Sequence, residues 1–218
     1  MAIRKHVSAG LSLDAWQGSG VIAARPAKRA ATKWHTDSGG EVIEVLRAAV
    51  RARRNVLISG GTSSGKTTFL NALLREIPGD ERLILIEDTP ELQLVHANAV
   101  GLIAARGHMG EAGVSADDLL IAALRMRPDR IVLGEVRGGE AMTFLRAINT
   151  GHPGSLCTIH ADSPERAIDQ LALLVLQSGS KLSWENVVQY IHKSIDVIVQ
   201  LSRHGGIRAI ESTLLVSE

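Results

Sequence analysis

Cysteine and aromatic residues are scarce in this sequence of 218 residues. Cys157 is the single cysteine, so no intrachain disulfide can form, which fits a reducing compartment. Zinc modules built on four cysteines are excluded for the same reason. Aromatic residues make up only 3% of the sequence, which argues against a protein that stacks nucleic-acid bases on aromatic rings. The core must therefore consist of leucine, isoleucine, valine and alanine, as in α/β sheets covered by helices.

Long apolar runs are also missing, and the charge is unevenly spread. No uninterrupted apolar stretch approaches the ~20 residues that a membrane-spanning helix needs. The net charge is +1, but residues 1–54 contain ten Lys and Arg against four Asp and Glu. This basic stretch indicates a solvated linker or, alternatively, a surface for anionic lipid, nucleic acid or an acidic neighbour.

Residues 56–70 carry the most informative pattern. A short apolar strand at 55–59 is followed by G-x-x-x-x-G-K-T at 60–67, called the P-loop below, and by the start of a helix. This order is typical of a nucleoside triphosphate site, because backbone N–H groups and the helix dipole both favour phosphate. Lys66 can reach the β- and γ-phosphates, and the Thr67 hydroxyl can ligate Mg²⁺. The predicted nucleotide-binding residues are Gly60, Gly61, Thr62, Ser63, Ser64, Gly65, Lys66, Thr67 and Thr68.

Strands and helices alternate along the rest of the chain. Further strands of the kind buried on both faces are predicted at 83–86, 130–133 and 155–159. Helices are predicted at 41–53, 66–77, 119–126, 139–149, 164–177 and 183–193. We also predict a short strand at 92–95, a loop at 101–114, and a terminal hairpin of strands at 195–201 and 207–215. Such alternation implies a mainly parallel, doubly wound α/β sheet.

Carboxylates follow the predicted strand at 83–86. Ligands of open α/β sheets bind at the carboxyl ends of strands, and Glu87, Asp88 and Glu91 stand at that place. They can hold Mg²⁺, partly through water, or orient an attacking water. A solvated turn is the alternative, since Asp and Pro are common turn residues. The P-loop upstream favours the functional interpretation.

Another carboxylate follows the predicted strand at 130–133. Gly134 occupies the place where many P-loop proteins carry Asp, so Glu135 is the candidate for polarising water or supporting Mg²⁺. Arg137 can pair with Glu135 or contact phosphate. A plain surface salt bridge is the alternative.

Histidines flank the predicted strand at 155–159. His160 follows it and His152 lies in the preceding turn. A neutral histidine can hydrogen-bond the γ-phosphate or the carboxylates and so report the nucleotide state. A hydrogen-bonded structural histidine is the alternative. A zinc site is disfavoured, because the histidines lack tight ligand spacing.

Taken in order, these motifs resemble the secretion-ATPase superfamily of P-loop proteins, in particular the hexameric traffic ATPases of type IV secretion and conjugation systems. The matching segments are 60–67 (Walker A), 86–92 (Asp box), 124–140 (an atypical Walker B) and 150–162 (His box). The runs L-R-M-R-P-D-R at 124–130, G-E-V-R-G-G-E-A at 134–141 and T-G-H-P-G at 150–154 are very specific. The resemblance implies a RecA-like P-loop NTPase domain, with a mainly parallel sheet flanked by helices and an antiparallel C-terminal hairpin.

The resemblance also implies a Mg²⁺-dependent ATPase. Lys66 would stabilise the transferred phosphoryl group, Thr67 would hold Mg²⁺, and His160 would sense the γ-phosphate. Glu135 would position or deprotonate water; alternatively, Glu87 would do so while Glu135 supports the metal.

Relatives of this kind form six-membered rings with nucleotide sites near subunit boundaries. A neighbouring subunit is therefore expected to supply an arginine, for which Arg106 is the candidate in this chain, and Arg137 is a second candidate contact. The implied partners are further copies of the chain and inner-membrane components of the secretion system. The implied location is cytoplasmic, peripheral to the bacterial inner membrane.

The resemblance covers roughly residues 40–200. We expect residues 1–40 to be a linker or the remnant of an N-terminal domain, and residues 41–218 to be the RecA-like ATPase domain. One departure is Thr62-Ser63-Ser64, where relatives usually have a glycine near the middle of the loop. We expect nucleotide binding to be kept.

Two rival functions stay open at this point. A type II secretion or type IV pilus assembly or retraction ATPase would share the fold. Those relatives more often have Gln where Met126 stands, and R-G-G-E at 137–140 favours the type IV secretion branch. The other rival is a non-catalytic module, either a nucleotide-gated interaction module or a nucleic-acid-binding module, that uses the basic stretch. The sequence does not establish direct binding to nucleic acid.

Overall fold

The structure is a computed structural model, and it describes residues 12–13, 21–24, 42–105 and 113–216. The strands are β1 Val21–Ala24, β2 Val56–Gly60, β3 Leu83–Glu87, β4 Ala99–Ile103, β5 Arg130–Leu133, β6 Leu156–Ile159, β7 Val197–His204 and β8 Ile207–Leu215. The helices are α1 Val42–Arg51, α2 Lys66–Leu74, α3 Ala116–Ala123, α4 Glu140–Asn149, α5 Pro164–Gln177 and α6 Trp184–Ser194. None of the helices in this part of the chain has the length and apolar character of a membrane span.

The strands form one sheet in the order β1-β8-β7-β2-β6-β5-β3-β4. All neighbouring pairs are parallel except β7 and β8, which form the antiparallel hairpin. The predicted fold class is thus confirmed. The order places β2 in the middle, with β6, β5 and β3 on one side and β7 and β8 on the other. Because parallel strands end at the same edge, the residues after β2, β3, β5 and β6 meet there.

Helices cover both faces of the sheet. Along β2, Val56 and Ile58 belong to the apolar core under α1 and α2, whereas Leu57 belongs to the core under α3, α4, α5 and α6. Successive strand side chains point to opposite faces, and both faces here are apolar. This explains why the central strands are continuous apolar runs in the sequence.

Capping residues begin two of the helices, and α3 begins at Ala116, three residues before its predicted start. The Ser115 Oγ accepts from the Asp118 N–H at 3.1 Å, and the Asp118 carboxylate accepts from the Ser115 N–H at 3.0 Å. This is the reciprocal capping box. At α5 the Ser163 hydroxyl accepts from the Arg166 N–H, and Pro164 stands at the first position of the helix.

The prediction of a strand at 92–95 is wrong. This segment is irregular, and the strand is β4, which pairs with β3 at the sheet edge and includes part of the predicted loop at 101–114. Leu94 lies against the open side of Gly101, whose Cβ position is 3.7 Å from a Leu94 methyl group. Leu94 therefore lies over the edge strand, and the segment 92–95 does not form it. Residues 106–112 of the predicted loop lie outside the described residues.

The stretch predicted as a linker contributes one element, β1, which pairs in parallel with β8 from Val21 opposite Ser212 to Ala24 opposite Leu215. The rest of residues 1–40, apart from residues 12–13, lies outside the described part of the chain. The domain boundary at residue 40 stays a prediction.

A buried ion-pair network closes the amino-terminal edge of the sheet. Arg130 is fully buried and donates to both carboxylate oxygens of Glu81 at 2.7 Å. It also donates to the carbonyl oxygens of Val50 at 2.8 Å and Gly154 at 3.3 Å. Arg53 adds a bond to Glu81 at 3.1 Å. These bonds hold the starts of β3, β5 and β6 together, on the edge opposite the predicted site.

Candidate nucleotide site

The P-loop joins β2 to α2 through backbone conformations that favour small residues. Gly65, before the first residue of α2, has φ of 97°, and Ser63 has φ of 62°. A side chain on Gly60 would overlap the Ser64 hydroxyl, and its Cβ would lie 2.9 Å from the Leu201 carbonyl oxygen. Gly60 is therefore required for the loop to pass between α2 and β7. Ser63 occupies the left-handed region where a glycine would be unstrained.

Lys66 points back into the P-loop. Its ammonium group donates to the carbonyl oxygens of Gly60 at 2.8 Å and Gly61 at 3.3 Å, and lies 4.0 Å from a carboxylate oxygen of Glu135. Backbone N–H groups at the start of an α-helix point along the helix axis towards the space in front of it. The loop thus presents an ammonium group and backbone donors to the same space, as phosphate binding requires.

A cleft of about 630 Å³ opens over the P-loop. It is lined by residues 61–68 and by the predicted site residues Glu87, Glu135, Arg137 and His160. The structure therefore brings the predicted site residues of four strand ends together. The volume lies in the range of pockets that hold nucleotide-sized molecules. Arg106 lies outside the described residues.

Glu87 is held rigidly at the end of β3. One of its carboxylate oxygens accepts from the N–H groups of Glu91 at 2.9 Å and Leu92 at 2.8 Å. Burial raises the pKa of Glu87, and these two backbone hydrogen bonds only partly oppose the rise. A Cβ on Gly134 would lie 3.2 Å from the Glu87 side chain. Gly134, in place of the Asp of many P-loop proteins, thus leaves room for Glu87.

Arg137 links the ends of β3 and β5. Its guanidinium donates to the Glu135 carboxylate, through Nε at 2.7 Å and also through Nη2, and to Asp88 at 3.2 Å. Burial alone would lower the pKa of Arg137, but the pairs with Glu135 and Asp88 outweigh it and raise the pKa. In this structure Arg137 therefore neutralises the carboxylate closest to Lys66.

The two predicted histidines lie at opposite ends of β6. His160 follows the strand, is exposed and lines the cleft. His152 precedes the strand, and its Nδ1 lies 3.2 Å from the Ala147 carbonyl oxygen, at the end of α4. Thr158 ties β6 to the cleft, since its hydroxyl donates to the Gly134 carbonyl oxygen at 2.7 Å. Of the two histidines, His160 is the one placed to meet a ligand.

Several further residues line the cleft and were not predicted as site residues from the sequence. Asn71, on α2, donates to the Glu91 carbonyl oxygen at 3.1 Å and holds the segment after β3. Thr158 is another, and Arg203 and Arg208 approach from the β7–β8 hairpin. The only sequence signal for the arginines is their placement on either side of a Gly-Gly turn.

The oxygen atoms in the cleft fit Mg²⁺. Thr67, Glu87 and Glu135 supply hydroxyl and carboxylate oxygens, the class of ligand that Mg²⁺ prefers. Among the described residues no three His, Cys, Asp or Glu side chains form a metal-binding cluster. Mg²⁺ at triphosphate sites typically takes one or two side chains, with phosphates and water as the other ligands. These residues would suffice for that mode of binding.

The motifs and this geometry agree with a family match over residues 38–208, to the family described as type II/IV secretion system protein. The chain belongs to this family. Among curated family members, it is 44% identical over 78% of its length to the type IV secretion system protein VirB11 of Bartonella quintana. It is 41% identical over 78% of its length to the conjugal transfer protein TrbB of Rhizobium radiobacter. The predicted resemblance is confirmed.

Solved structures of family members show the same fold. The VirB11 ATPase of the Brucella suis type IV secretion system, in complex with sulphate, superposes with a TM-score of 0.73 at 40% identity, covering 79% of this chain and 51% of that one. The pilus retraction motor PilT with bound ADP gives a TM-score of 0.62 at 28% identity, covering 79% and 50%. The chain spans about half the length of the curated relatives it matches, 48% of the Bartonella protein and 50% of TrbB.

Proposed function

We propose that this chain is the ATP-hydrolysing domain of a motor subunit that powers type IV secretion or conjugative transfer. The observation that carries the proposal is that Lys66, Glu87, Glu135 and His160 line the same cleft. The names of relatives above 40% identity support the type IV secretion branch. The alternative, a pilus or type II secretion ATPase, has weaker support, since PilT is 28% identical.

Binding of the triphosphate falls to the P-loop. Lys66 releases its two loop carbonyls and pairs with the β- and γ-phosphates, which neutralises charge that grows during phosphoryl transfer. Thr67, with Glu135 or Glu87, would hold Mg²⁺, and the ion when bound neutralises phosphate charge. The N–H groups from residue 61 to residue 68 fix the phosphate chain.

Activation of water falls to Glu135 in this proposal. Its carboxylate lies 4.0 Å from the Lys66 ammonium group, on the side where the γ-phosphate would sit. Glu135 can accept a proton only when its ion pair with Arg137 breaks. The γ-phosphate is the anion that would compete with Glu135 for the Arg137 guanidinium. Glu87 is the alternative base, because burial raises its pKa towards the neutral range where proton acceptors work best. His160 donates to the γ-phosphate and reports its loss.

Assembly completes the proposal. We infer a ring of six copies at the cytoplasmic face of the inner membrane, in contact with membrane components of the secretion system. An arginine from a neighbouring copy, for which Arg106 is the candidate, would add positive charge at the phosphates. An arginine finger is worth about 10³–10⁵ in rate, so the separated chain should hydrolyse ATP slowly.

The test measures ATP turnover and, separately, the dissociation constant for ADP. Lys66→Ala should remove turnover and weaken ADP binding at least tenfold, whereas Lys181→Ala, at an exposed lysine outside the cleft, should change neither. Glu135→Gln should keep binding and lower turnover by roughly 10²- to 10⁴-fold, the usual contribution of a general base. Unchanged turnover in Lys66→Ala would refute the proposal. Tight, salt-sensitive DNA binding without turnover would support the nucleic-acid rival.

A further inference from the structure

Arg203 and Arg208 line the cleft, and the proposed hydrolysis gives them no part. They are directly opposite each other in the antiparallel pairing of β7 and β8. Both are exposed, and no carboxylate of the described residues is in salt-bridge contact with either guanidinium. Like charges directly opposite on a sheet repel each other and destabilise the pairing. A bound anion between the two guanidinium groups would remove that penalty.

The hairpin directs both arginines towards the start of α2. Leu201 and Ile210, a directly opposed pair, are buried in the core under α1 and α2. Arg203 lies two residues after Leu201, and Arg208 two residues before Ile210. Residues two apart on a strand share a face, so the arginines extend the same face beyond the core. Leu201 itself lies opposite Gly60, the first residue of the P-loop.

The sheet order separates this pair from the groups proposed to act in hydrolysis. Glu87, Glu135 and His160 follow β3, β5 and β6, all on one side of β2, whereas β7 and β8 lie on the other side. A triphosphate held by the P-loop must point its γ-phosphate towards the carboxylates. The α-phosphate and the sugar therefore extend from the P-loop towards the β7–β8 hairpin.

We propose that Arg203 and Arg208 form a cationic clamp for the α-phosphate end of a nucleoside 5′-di- or triphosphate. The inference rests on the proposed nucleotide-binding function and extends it to one end of the ligand. Because ADP and ATP share that end, the clamp sets affinity and orientation for both equally. It does not distinguish the two nucleotides, which is the role proposed for His160.

The experiment compares dissociation constants for ADP and for a non-hydrolysable ATP analogue, measured by titration calorimetry at two salt concentrations. The variants are Arg203→Gln, Arg208→Gln and the double substitution in the full chain. Each single substitution should raise the dissociation constants for both nucleotides by about tenfold, and the double substitution by about 100-fold. This is the loss expected when charge-assisted hydrogen bonds to phosphate are removed. The double variant should also lose part of the salt dependence. Arg125→Gln, at an exposed arginine outside the cleft, is the matched control and should stay within twofold of wild type.

Three results would overturn the inference. If nucleotide affinity is unchanged in the double variant while Lys66→Ala still weakens ADP binding at least tenfold, the clamp is ruled out and the proposed function is kept. A much larger loss for the ATP analogue than for ADP would place the arginines at the γ-phosphate. A lower melting temperature of the nucleotide-free double variant would give the pair a structural role, whereas the clamp predicts an equal or higher one, because repulsion is relieved. If the wild-type chain bound neither nucleotide, the proposed function would fall, and the clamp with it.

Discussion

Replacing Arg130 with methionine should lower the free energy of unfolding by about 3–5 kcal/mol and leave ADP affinity unchanged. Arg130 is fully buried at the amino-terminal edge of the sheet, away from the cleft. Methionine is of similar length and keeps most of the packing, so the loss would come from hydrogen bonds and charge and not from a cavity.

The magnitude follows from the groups that Arg130 satisfies. Its side chain makes two bonds of 2.7 Å to Glu81 and one of 2.8 Å to the Val50 carbonyl oxygen, with a longer contact of 3.3 Å to Gly154. Methionine removes these donors, so the Val50 carbonyl oxygen would keep the Arg53 N–H at 3.1 Å, and Glu81 would keep the Arg53 guanidinium at 3.1 Å. Breaking a buried pair by removing one partner costs about 3–5 kcal/mol. For a chain of this size, that corresponds to a fall in melting temperature of about 6–20 °C.

Urea denaturation followed by circular dichroism measures the effect. Arg166→Met is the matched control, because the Arg166–Asp162 pair is exposed on both sides, with 71% and 72% of the two side chains accessible. Exposed pairs contribute about 0–1 kcal/mol. If the two methionine variants lose equal stability, the buried network does not hold the strand starts together, and the reasoning fails.

The same network predicts a pH dependence. Hydrogen bonds from Arg130 lower the pKa of Glu81 below its ordinary value of 4.5, against the opposing effect of burial. A carboxyl with a lowered folded-state pKa stabilises the fold above its unfolded pKa, and this stability is lost as the pH falls through the folded value. Wild-type stability should therefore decline as the pH falls below about 4.5. The decline should be shallower in Arg130→Met, as a pH series of urea midpoints would show.

Two substitutions in the P-loop test its backbone geometry. Gly60→Ala should weaken ADP binding at least tenfold and destabilise the fold by about 1–3 kcal/mol, because the new Cβ meets the Leu201 backbone. Gly61→Ala is the control, since a Cβ there meets nothing within 4 Å. Equal effects of the two substitutions would contradict this explanation. Ser63→Gly should raise the free energy of unfolding by up to about 1 kcal/mol, since it relieves a left-handed serine with φ of 62°. A drop in stability on urea denaturation would mean that the Ser63 side chain contributes more than the strain costs.

The fold and the cleft were largely predictable because their signals are local. Continuous apolar runs mark the central strands, since helices cover both faces of the sheet. Capping pairs such as Ser115 and Asp118 mark helix starts without reference to the rest of the chain. The P-loop and the residues after β3, β5 and β6 could be combined into one site because parallel strands end at one edge.

The parts that were missed depend on distant contacts. β4 is an edge strand that contains Gly101, and its identity depends on pairing with β3 and on cover by Leu94. The arginines of the hairpin enter the cleft only because β7 pairs with β2, where Gln200 lies opposite Ser59, 141 residues earlier in the chain. A charge beside a turn is common in any sequence, so the turn alone could not identify them.

Two of the family motifs contain residues from both ends of a strand. The atypical Walker B segment places Arg130 in the buried network at the start of β5 and Glu135 in the cleft after its end. The His box likewise places Gly154 against Arg130, where a Cβ would lie 2.7 Å from the guanidinium, and His160 in the cleft. The four residues of such a strand span roughly 13 Å, far enough for substitutions at the two ends to act independently. A match to such a motif therefore indicates both the residues that stabilise the start of the strand and the cleft residues that follow its end. Separate variants at the two ends are therefore needed to distinguish effects on the free energy of unfolding from effects on nucleotide binding and hydrolysis.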